Sequence, residues 1–113
     1  MEKKEEIILL PKIFDPRGSL TVTEEMKNIP FHIHRVEYLY GISQGKVLEK
    51  YTEKEGYKFY VALSGSFRIT IHEDDDTKRD YMLNRPYQGL LIQGDTHYSI
   101  YDFSNGVVCL DIE

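Results

Sequence analysis

The stretch YKFYVALSGSFRITIH, residues 57–72, decides the fold class of this chain. Its first half is rich in aromatic and β-branched residues, and Ser64-Gly65 is typical of a tight turn between strands. In its second half, FRITIH (67–72), apolar and polar residues alternate strictly, which is the period of a strand with one buried face. The stretch therefore predicts two strands joined by a tight turn.

The same pattern extends over the rest of the chain. Further strand-like segments cover residues 20–23, 33–40, 89–93, 97–103 and 106–112. Gly, Asn, Asp and Pro separate these segments, as expected for turns. Many short strands at regular spacing predict an all-β fold, a small antiparallel β-barrel or jelly roll formed by one domain over residues 1–113. Only TEEMKNIP (23–30) suggests helix, and then a single turn that ends before Pro30.

Composition and charge exclude several classes of function. The chain has 113 residues, of which 41% are hydrophobic and 29% charged, as in an ordinary globular protein. Its formal net charge of −5 argues against a nucleic-acid-binding face. The only cysteine, Cys109, permits no intrachain disulfide, and the N-terminal apolar run is too short for a signal peptide or a membrane span. We expect a cytoplasmic protein that binds neither nucleic acid nor membrane.

Five motifs in order resemble those of one family: KIFDPRGSLTV, NIPFHIHRVEYLY, ALSGSFRI, LNRPYQGLLI and DFSNGVVCLDI. They are similar to segments of the cupins that isomerise dTDP-4-keto-6-deoxyglucose to its 3-keto sugar. These sugar 3,4-ketoisomerases of deoxyamino-sugar biosynthesis are related to the WxcM-like C-terminal domains. The resemblance runs from Ile13 to Ile112 and implies an RmlC-like cupin barrel, a dTDP-linked keto-deoxy sugar as ligand, and a homodimer.

The segment KVLEKYTEKEGYKFYVALSG, residues 46–65, departs from that family. The resemblance implies a His-x-His pair preceded three residues earlier by arginine, and the matching positions are Tyr51, Glu53 and Leu48. The general cupin metal motif places its glutamate at Lys58 and its last histidine at His97. One imidazole and one carboxylate beside a lysine do not form a transition-metal site, so we expect no metal and no other cofactor.

Moving a ketone from C4 to C3 requires removal and return of a proton, for which a base with a pKa near 7 is best. In the first hypothesis, the chain binds a dTDP-sugar, or a protein partner beside an active homologue, with isomerase activity weak or lost. In the second, it is an active keto-sugar isomerase whose acid–base groups are Glu53, Tyr51 and His97.

The second hypothesis rests on side-chain direction. Tyr51 and Glu53 stand at i and i+2 of a strand and share a face, which the resemblance places inside the barrel. A buried carboxylate beside a tyrosine hydroxyl suits proton transfer next to a ketone. The structural alternative is that Glu53 pairs with Lys50, Lys58 or Arg68, and that His97 only hydrogen-bonds inside the barrel.

The resemblance also implies a nucleotide held at the barrel mouth between protomers. Guanidinium groups suit a diphosphate, and tyrosine rings suit stacking on a base, although each arginine has a surface or turn-stabilising role as its alternative. The residues predicted to bind the nucleotide sugar are Arg17, Arg35, Tyr38, Tyr40, Lys58 and Arg85, with Tyr87 as a further stacking candidate. The apolar segment EIILL (6–10) has no evident partner, which favours pairing of two chains through N-terminal strands.

Overall fold

The computed structural model describes the backbone of residues 4–15, 18–21 and 23–113, and the side chains of residues 4–11 and 23–113. Its β-strands, in chain order, are β1 Glu5–Leu9, β2 Lys12–Asp15, β3 Gly18–Thr21, β4 Val36–Leu39, β5 Leu48–Tyr51, β6 Tyr57–Ser64, β7 Phe67–His72, β8 Lys78–Leu83, β9 Gln88–Gln93, β10 His97–Tyr101 and β11 Val108–Ile112. The two strands predicted from residues 57–72 are β6 and β7, and the turn between them carries the chain from one sheet to the other.

The strands form two facing antiparallel sheets. One has five strands in the order β1-β9-β6-β11-β4, and the other has four in the order β5-β10-β7-β8. Strands β2 and β3 pair as a separate two-stranded sheet. The prediction of an all-β antiparallel fold is confirmed. Within the described ranges, no helix is long and apolar enough to cross a membrane.

The segment 23–30, predicted as a helical turn, forms a turn that no helix continues. Asn28 N donates a hydrogen bond to Glu24 O at 3.0 Å. Met26 adopts a φ of 59°, in the left-handed region, and an α-helix of L-residues cannot propagate through that conformation.

The main core lies between the two sheets, where the alternating side chains of β6 and β7 meet. Phe67, Ile69 and Ile71 of β7 are buried, as their strict alternation predicts, and they pack in one cluster with Tyr60 and Ala62 of β6. This inward face of β6 also carries Lys58, because successive even-numbered residues of a strand point to the same side.

A second core covers the outer face of the five-stranded sheet. Phe59 and Leu91 point outward from β6 and β9 and are sealed by Ile29 and Phe31 of the segment before β4. Gly89 permits this packing, since a Cβ at that position would collide with the Phe59 ring.

The N-terminal apolar segment has a partner within its own chain. Strand β1 pairs antiparallel with β9, with Ile7 opposite Leu90, so the expectation that EIILL lacks a partner is wrong. The interior strand β9 offers a hydrogen-bonding edge that the sequence pattern of residues 6–10 does not reveal. The sheet order leaves β1 and β4 at the two edges of the five-stranded sheet.

Candidate functional site

A cavity of about 430 Å³ opens where the end of β5, the start of β6 and the C terminus meet. Polar and aromatic side chains dominate its wall, which suits a small polar ligand. The lining residues are His34, Lys50, Tyr51, Thr52, Glu53, Gly56, Tyr57, Lys58, Tyr98 and Glu113.

Two tyrosines from opposite sheets meet beneath the cavity. The hydroxyls of Tyr60 and Tyr98 lie 2.7 Å apart and share a hydrogen bond. Burial raises the pKa of Tyr98 to about 12 and raises that of Tyr60 further, so both are neutral phenols at pH 7. They are able to donate hydrogen bonds to a ligand oxygen but not to act as bases.

The hydroxyl of Thr52 is buried in the cavity wall. Among the described residues, its Oγ1 has no hydrogen-bond partner of good geometry. It does approach the hydroxyl of Tyr98, and this contact acts to lower the pKa of that phenol. A buried polar atom without a partner costs free energy, and a bound ligand or water satisfies it.

Lys58 supplies a cation inside the barrel. Its Nζ lies 3.2 Å from both carboxylate oxygens of Asp111 and 2.9 Å from Glu113 Oε2. Burial acts to lower the pKa of Lys58, but the hydrogen bond to Glu113 and the charge of Asp111 outweigh it and raise the pKa. Burial raises the pKa of the Asp111 carboxyl, and Lys58 only partly offsets that effect.

The salt bridges of Lys58 with Asp111 and Glu113 determine whether a metal ion can bind at the cupin-motif position. The ammonium group of Lys58 occupies the place of a glutamate ligand and already satisfies the two nearby carboxylates. The cupin-motif positions 51, 53 and 58 therefore do not fit a metal inside the barrel.

The register of β5 corrects the predicted direction of Tyr51. Lys50 pairs with the core residue Tyr98, whereas Tyr51 pairs with His97. Because side chains alternate, Tyr51 points to the outer face, where it is 66% exposed and stacks on His97 with 5.8 Å between ring centroids. Tyr51 and the exposed Glu53 border the mouth of the cavity, and the prediction that they point into the barrel is wrong.

His97 also lies on the outer face of the four-stranded sheet. Its Nε2 is 3.0 Å from Glu49 Oε2, so the predicted hydrogen bond inside the barrel is replaced by one outside it. His97 does not line the cavity with Tyr51 and Glu53. The structure thus places Tyr51 and Glu53 at the cavity mouth and His97 against the outer side of the Tyr51 ring, outside the cavity.

Of the residues predicted to bind the nucleotide sugar, the structure brings Lys58 into the cavity wall. Arg35 reaches its edge, where Nη2 lies 2.5 Å from Oε1 of the lining residue Glu113. Tyr38 and Tyr40 lie on or just after β4 and are 59% and 76% exposed. Arg17 lies outside the described residues.

Two candidates sit in the connection between β8 and β9. Arg85 Nη1 donates to the carbonyl of Asn84 at 3.0 Å, which matches its turn-stabilising alternative. The carbonyl of Tyr87 accepts a hydrogen bond from Leu10 N at 2.7 Å and helps to hold the N-terminal strand. Neither residue lines the cavity.

Several contributors to this site were missed from the sequence, among them His34, Thr52, Tyr98, Asp111 and Glu113. A signal existed for Asp111, because alternation in GVVCLDI places it on the same face as the buried Cys109, and a charge on a buried face needs a partner. His34 and Glu113 meet through the hydrogen bond from His34 N to Glu113 O, at 2.7 Å, which links distant parts of the chain.

Two antiparallel sheets closed around a polar cavity at one end define a ligand-binding β-barrel of the cupin type. The family model "FdtA: WxcM-like, C-terminal" matches residues 3–112. A TDP-4-oxo-6-deoxy-alpha-D-glucose-3,4-oxoisomerase of Aneurinibacillus thermoaerophilus is 34% identical over 110 residues, covering 97% of this chain and 77% of that protein. The chain belongs to this FdtA, WxcM-like C-terminal family.

Solved structures agree with this assignment. A variant of the 3,4-ketoisomerase QdtA from Thermoanaerobacterium thermosaccharolyticum, crystallised with TDP-4-keto-6-deoxyglucose, has a TM-score of 0.92 at 28% identity, covering 99% of this chain and 80% of QdtA. The dTDP-4-dehydrorhamnose 3,5-epimerase of Bacillus anthracis has a TM-score of 0.79 at 14% identity, covering 96% of this chain and 70% of the epimerase, and bears on the fold alone. The predicted family and the cupin fold are confirmed.

Proposed function

We propose that this chain binds a dTDP-linked keto-deoxy sugar in the barrel cavity and has little or no 3,4-ketoisomerase activity. The observation that carries the binding is the cavity itself, a polar space of about 430 Å³ in a barrel whose relative QdtA was crystallised with such a sugar. Lys58 and the buried hydroxyl of Thr52 supply a cation and a hydrogen-bonding group in its wall.

The weak activity follows from the protonation states of the cavity groups. Tyr98 is a neutral phenol, and Lys58 is a cation held by two carboxylates, so neither removes a proton from carbon at neutral pH. Tyr51 and Glu53 stand at the positions of the family's histidine pair, and both are exposed. These groups support a site that holds and orients a keto sugar without the histidine pair that the family resemblance implies.

Binding is tested by thermal unfolding with dTDP. We expect dTDP to raise the melting temperature of the wild type, because a ligand that binds only the folded state stabilises it. Thr52→Val should reduce the rise while changing the unliganded melting temperature little, since the contact of the buried hydroxyl with Tyr98 lacks good hydrogen-bond geometry. Arg85→Gln, outside the cavity, is the matched control.

The same measurement of melting temperature with inorganic pyrophosphate and with UDP distinguishes recognition of the phosphates from recognition of the base. The absence of any shift at millimolar dTDP would contradict nucleotide binding and leave a non-catalytic structural role. An equal shift in wild type and Thr52→Val would place the nucleotide outside the cavity.

We propose a homodimer as the functional state, in the cytoplasm. Apolar side chains are exposed at both edges of the five-stranded sheet, where Leu9 of β1 is 68% exposed and Tyr38 of β4 is 59% exposed. Exposed strand edges of this kind are typically covered by a partner. The buried thiol of Cys109, whose pKa burial raises to about 12, suits a reducing compartment.

Light scattering is expected to give twice the 13.3 kDa mass of the chain at micromolar concentration. Leu9→Glu should shift the species towards monomer, because it places a charge on the N-terminal edge strand. Met82→Glu, which changes a 43% exposed residue on β8, serves as control. A wild type that remains at 13.3 kDa would refute the dimer.

A further inference from the structure

Three strands bring two imidazoles and a carboxylate together on the outer face of the four-stranded sheet. In the register, His97 of β10 stands opposite His72 of β7, and Glu49 of β5 stands opposite Ser99. One ligand atom from each of Glu49, His72 and His97 lies within 4.8 Å of the others. The two imidazole rings are stacked with centroids 4.5 Å apart.

We propose that Glu49, His72 and His97 form a binding site for a divalent transition-metal ion, best suited to Zn²⁺. Two imidazole nitrogens and one carboxylate oxygen are a common set of three protein ligands for this ion, with water completing a tetrahedron. Two nitrogen donors out of three disfavour Mg²⁺ and Ca²⁺, which prefer oxygen ligands.

Hydrogen bonds already hold the three ligands towards a common point. Ser99 Oγ donates to Glu49 Oε2 at 2.9 Å and lies 2.7 Å from His72 Nε2. His97 Nε2 approaches the same Glu49 oxygen at 3.0 Å. His97 therefore presents Nε2 to the Glu49 carboxylate, and His72 presents Nε2 to the Ser99 hydroxyl that bonds to the same carboxylate oxygen. An ion that binds all three needs only a small inward movement of side chains, because Zn²⁺ bonds are about 2.0–2.2 Å long.

This site is separate from the sugar cavity. His97 and Tyr98 are adjacent on β10 and point to opposite faces, so the ion lies outside the barrel and Tyr98 lies beneath the cavity. An ion there links β5, an edge strand of its sheet, to β10 and β7. Because β5 leads directly into Thr52 and Glu53, the ion fixes the cavity rim without touching the ligand.

The test is a titration of the chelator-treated full chain with Zn²⁺ by calorimetry, and with Co²⁺ by visible absorption. We expect one ion per chain and a tetrahedral Co²⁺ spectrum. Ser99→Ala should weaken affinity roughly 10–100-fold, the usual effect of losing an outer-shell partner, and His72→Ala or His97→Ala should weaken it more.

His32→Ala is the matched control, since His32 Nδ1 lies 3.7 Å from Glu25 and forms a lone histidine–carboxylate pair. Metal affinity unchanged in His32→Ala supports the site. The absence of saturable one-to-one metal binding in the wild type would overturn the proposed site. So would a metal affinity that is unchanged in His72→Ala, or one that falls as much in His32→Ala as in the ligand variants. If an alanine variant fails to fold, His72→Gln and Glu49→Gln, checked by circular dichroism, test the same ligands.

Discussion

Incubated with dTDP-4-keto-6-deoxyglucose, the wild-type protein is expected to form the 3-keto sugar roughly 10²–10⁴-fold more slowly than an enzyme with a positioned general base. The reason is the exchange of the family's histidine pair for Tyr51 and Glu53, together with a cavity whose phenols and ammonium group hold protons tightly at neutral pH. An NMR time course reports the sugar's binding and its turnover in one sample.

The reciprocal variant Tyr51→His/Glu53→His should gain measurable turnover and keep the melting temperature of the wild type, because both positions are exposed. Leu48→Arg, which restores the family arginine, is expected to cost stability, since Leu48 packs against the main core. Turnover that requires Leu48→Arg would assign that arginine to substrate orientation.

The competing hypothesis predicts the opposite result. Clear wild-type turnover that is lost in Glu53→Gln, at unchanged dTDP affinity, would make this chain an active isomerase with a carboxylate base. His34→Gln is the comparison variant, because His34 contributes an imidazole to the cavity wall. Loss of turnover in His34→Gln alone would instead assign the base to that imidazole.

Replacement of the buried lysine should have the largest effect on stability. Lys58→Met is expected to lower the free energy of unfolding by about 3–5 kcal/mol, because it leaves the Asp111 carboxylate buried without its cation. The side chains of Lys58 and Asp111 are only 16% and 6% exposed, so water compensates little of this loss. Urea unfolding followed by circular dichroism measures the effect.

Arg68→Met is the matched control. The Arg68–Asp102 pair is 3.0 Å long but has side chains 41% and 61% exposed, and its loss should change stability by about 0–1 kcal/mol. The double variant Lys58→Met/Asp111→Leu should recover much of the loss, because no charge is then left buried. A Lys58→Met variant as stable as Arg68→Met would show that the interior ion pair contributes little.

The pKa of Asp111 gives this prediction a pH dependence. The folded-state pKa is raised by burial, so Asp111 favours the folded state below its unfolded pKa and loses that contribution as pH rises through its folded pKa. Removing Lys58 raises the folded pKa further. The difference in free energy of unfolding between wild type and Lys58→Met should therefore become smaller as the pH is lowered into the acid range.

The sequence predicted most of the fold because the relevant signals are local. The alternation in FRITIH and the turn at Ser64-Gly65 depend on neighbouring residues only, and both are confirmed by β6 and β7. The predicted direction of the Tyr51 side chain was wrong for a physical reason. A period of two shows that residues 51 and 53 share a face, but only the pairing of Lys50 with Tyr98 determines which face is buried.

Contacts between side chains were missed where the two strands that carry them are far apart in the sequence. Lys58 was one of three partners considered for Glu53, yet the partner that it has in the structure, Asp111, stands 53 positions away and is brought close by β11. In the same way, His97 was considered with the cupin-motif positions, whereas His72 approaches it across the β7–β10 pairing. Cross-strand proximity follows from register, which the spacing of residue types does not reveal.

Strand β5 shows how a chain of this family can change its chemistry while keeping its shape. Of its four residues, only the half-buried Leu48 packs against the core, and the other three side chains are exposed. Substitutions at exposed positions usually change stability by less than about 0.5 kcal/mol. Selection for a folded barrel therefore hardly constrains Lys50 and Tyr51, whereas Glu49 is held by hydrogen bonds from Ser99 and His97. These two positions line the cavity, and they are the natural place to randomise in a directed-evolution library.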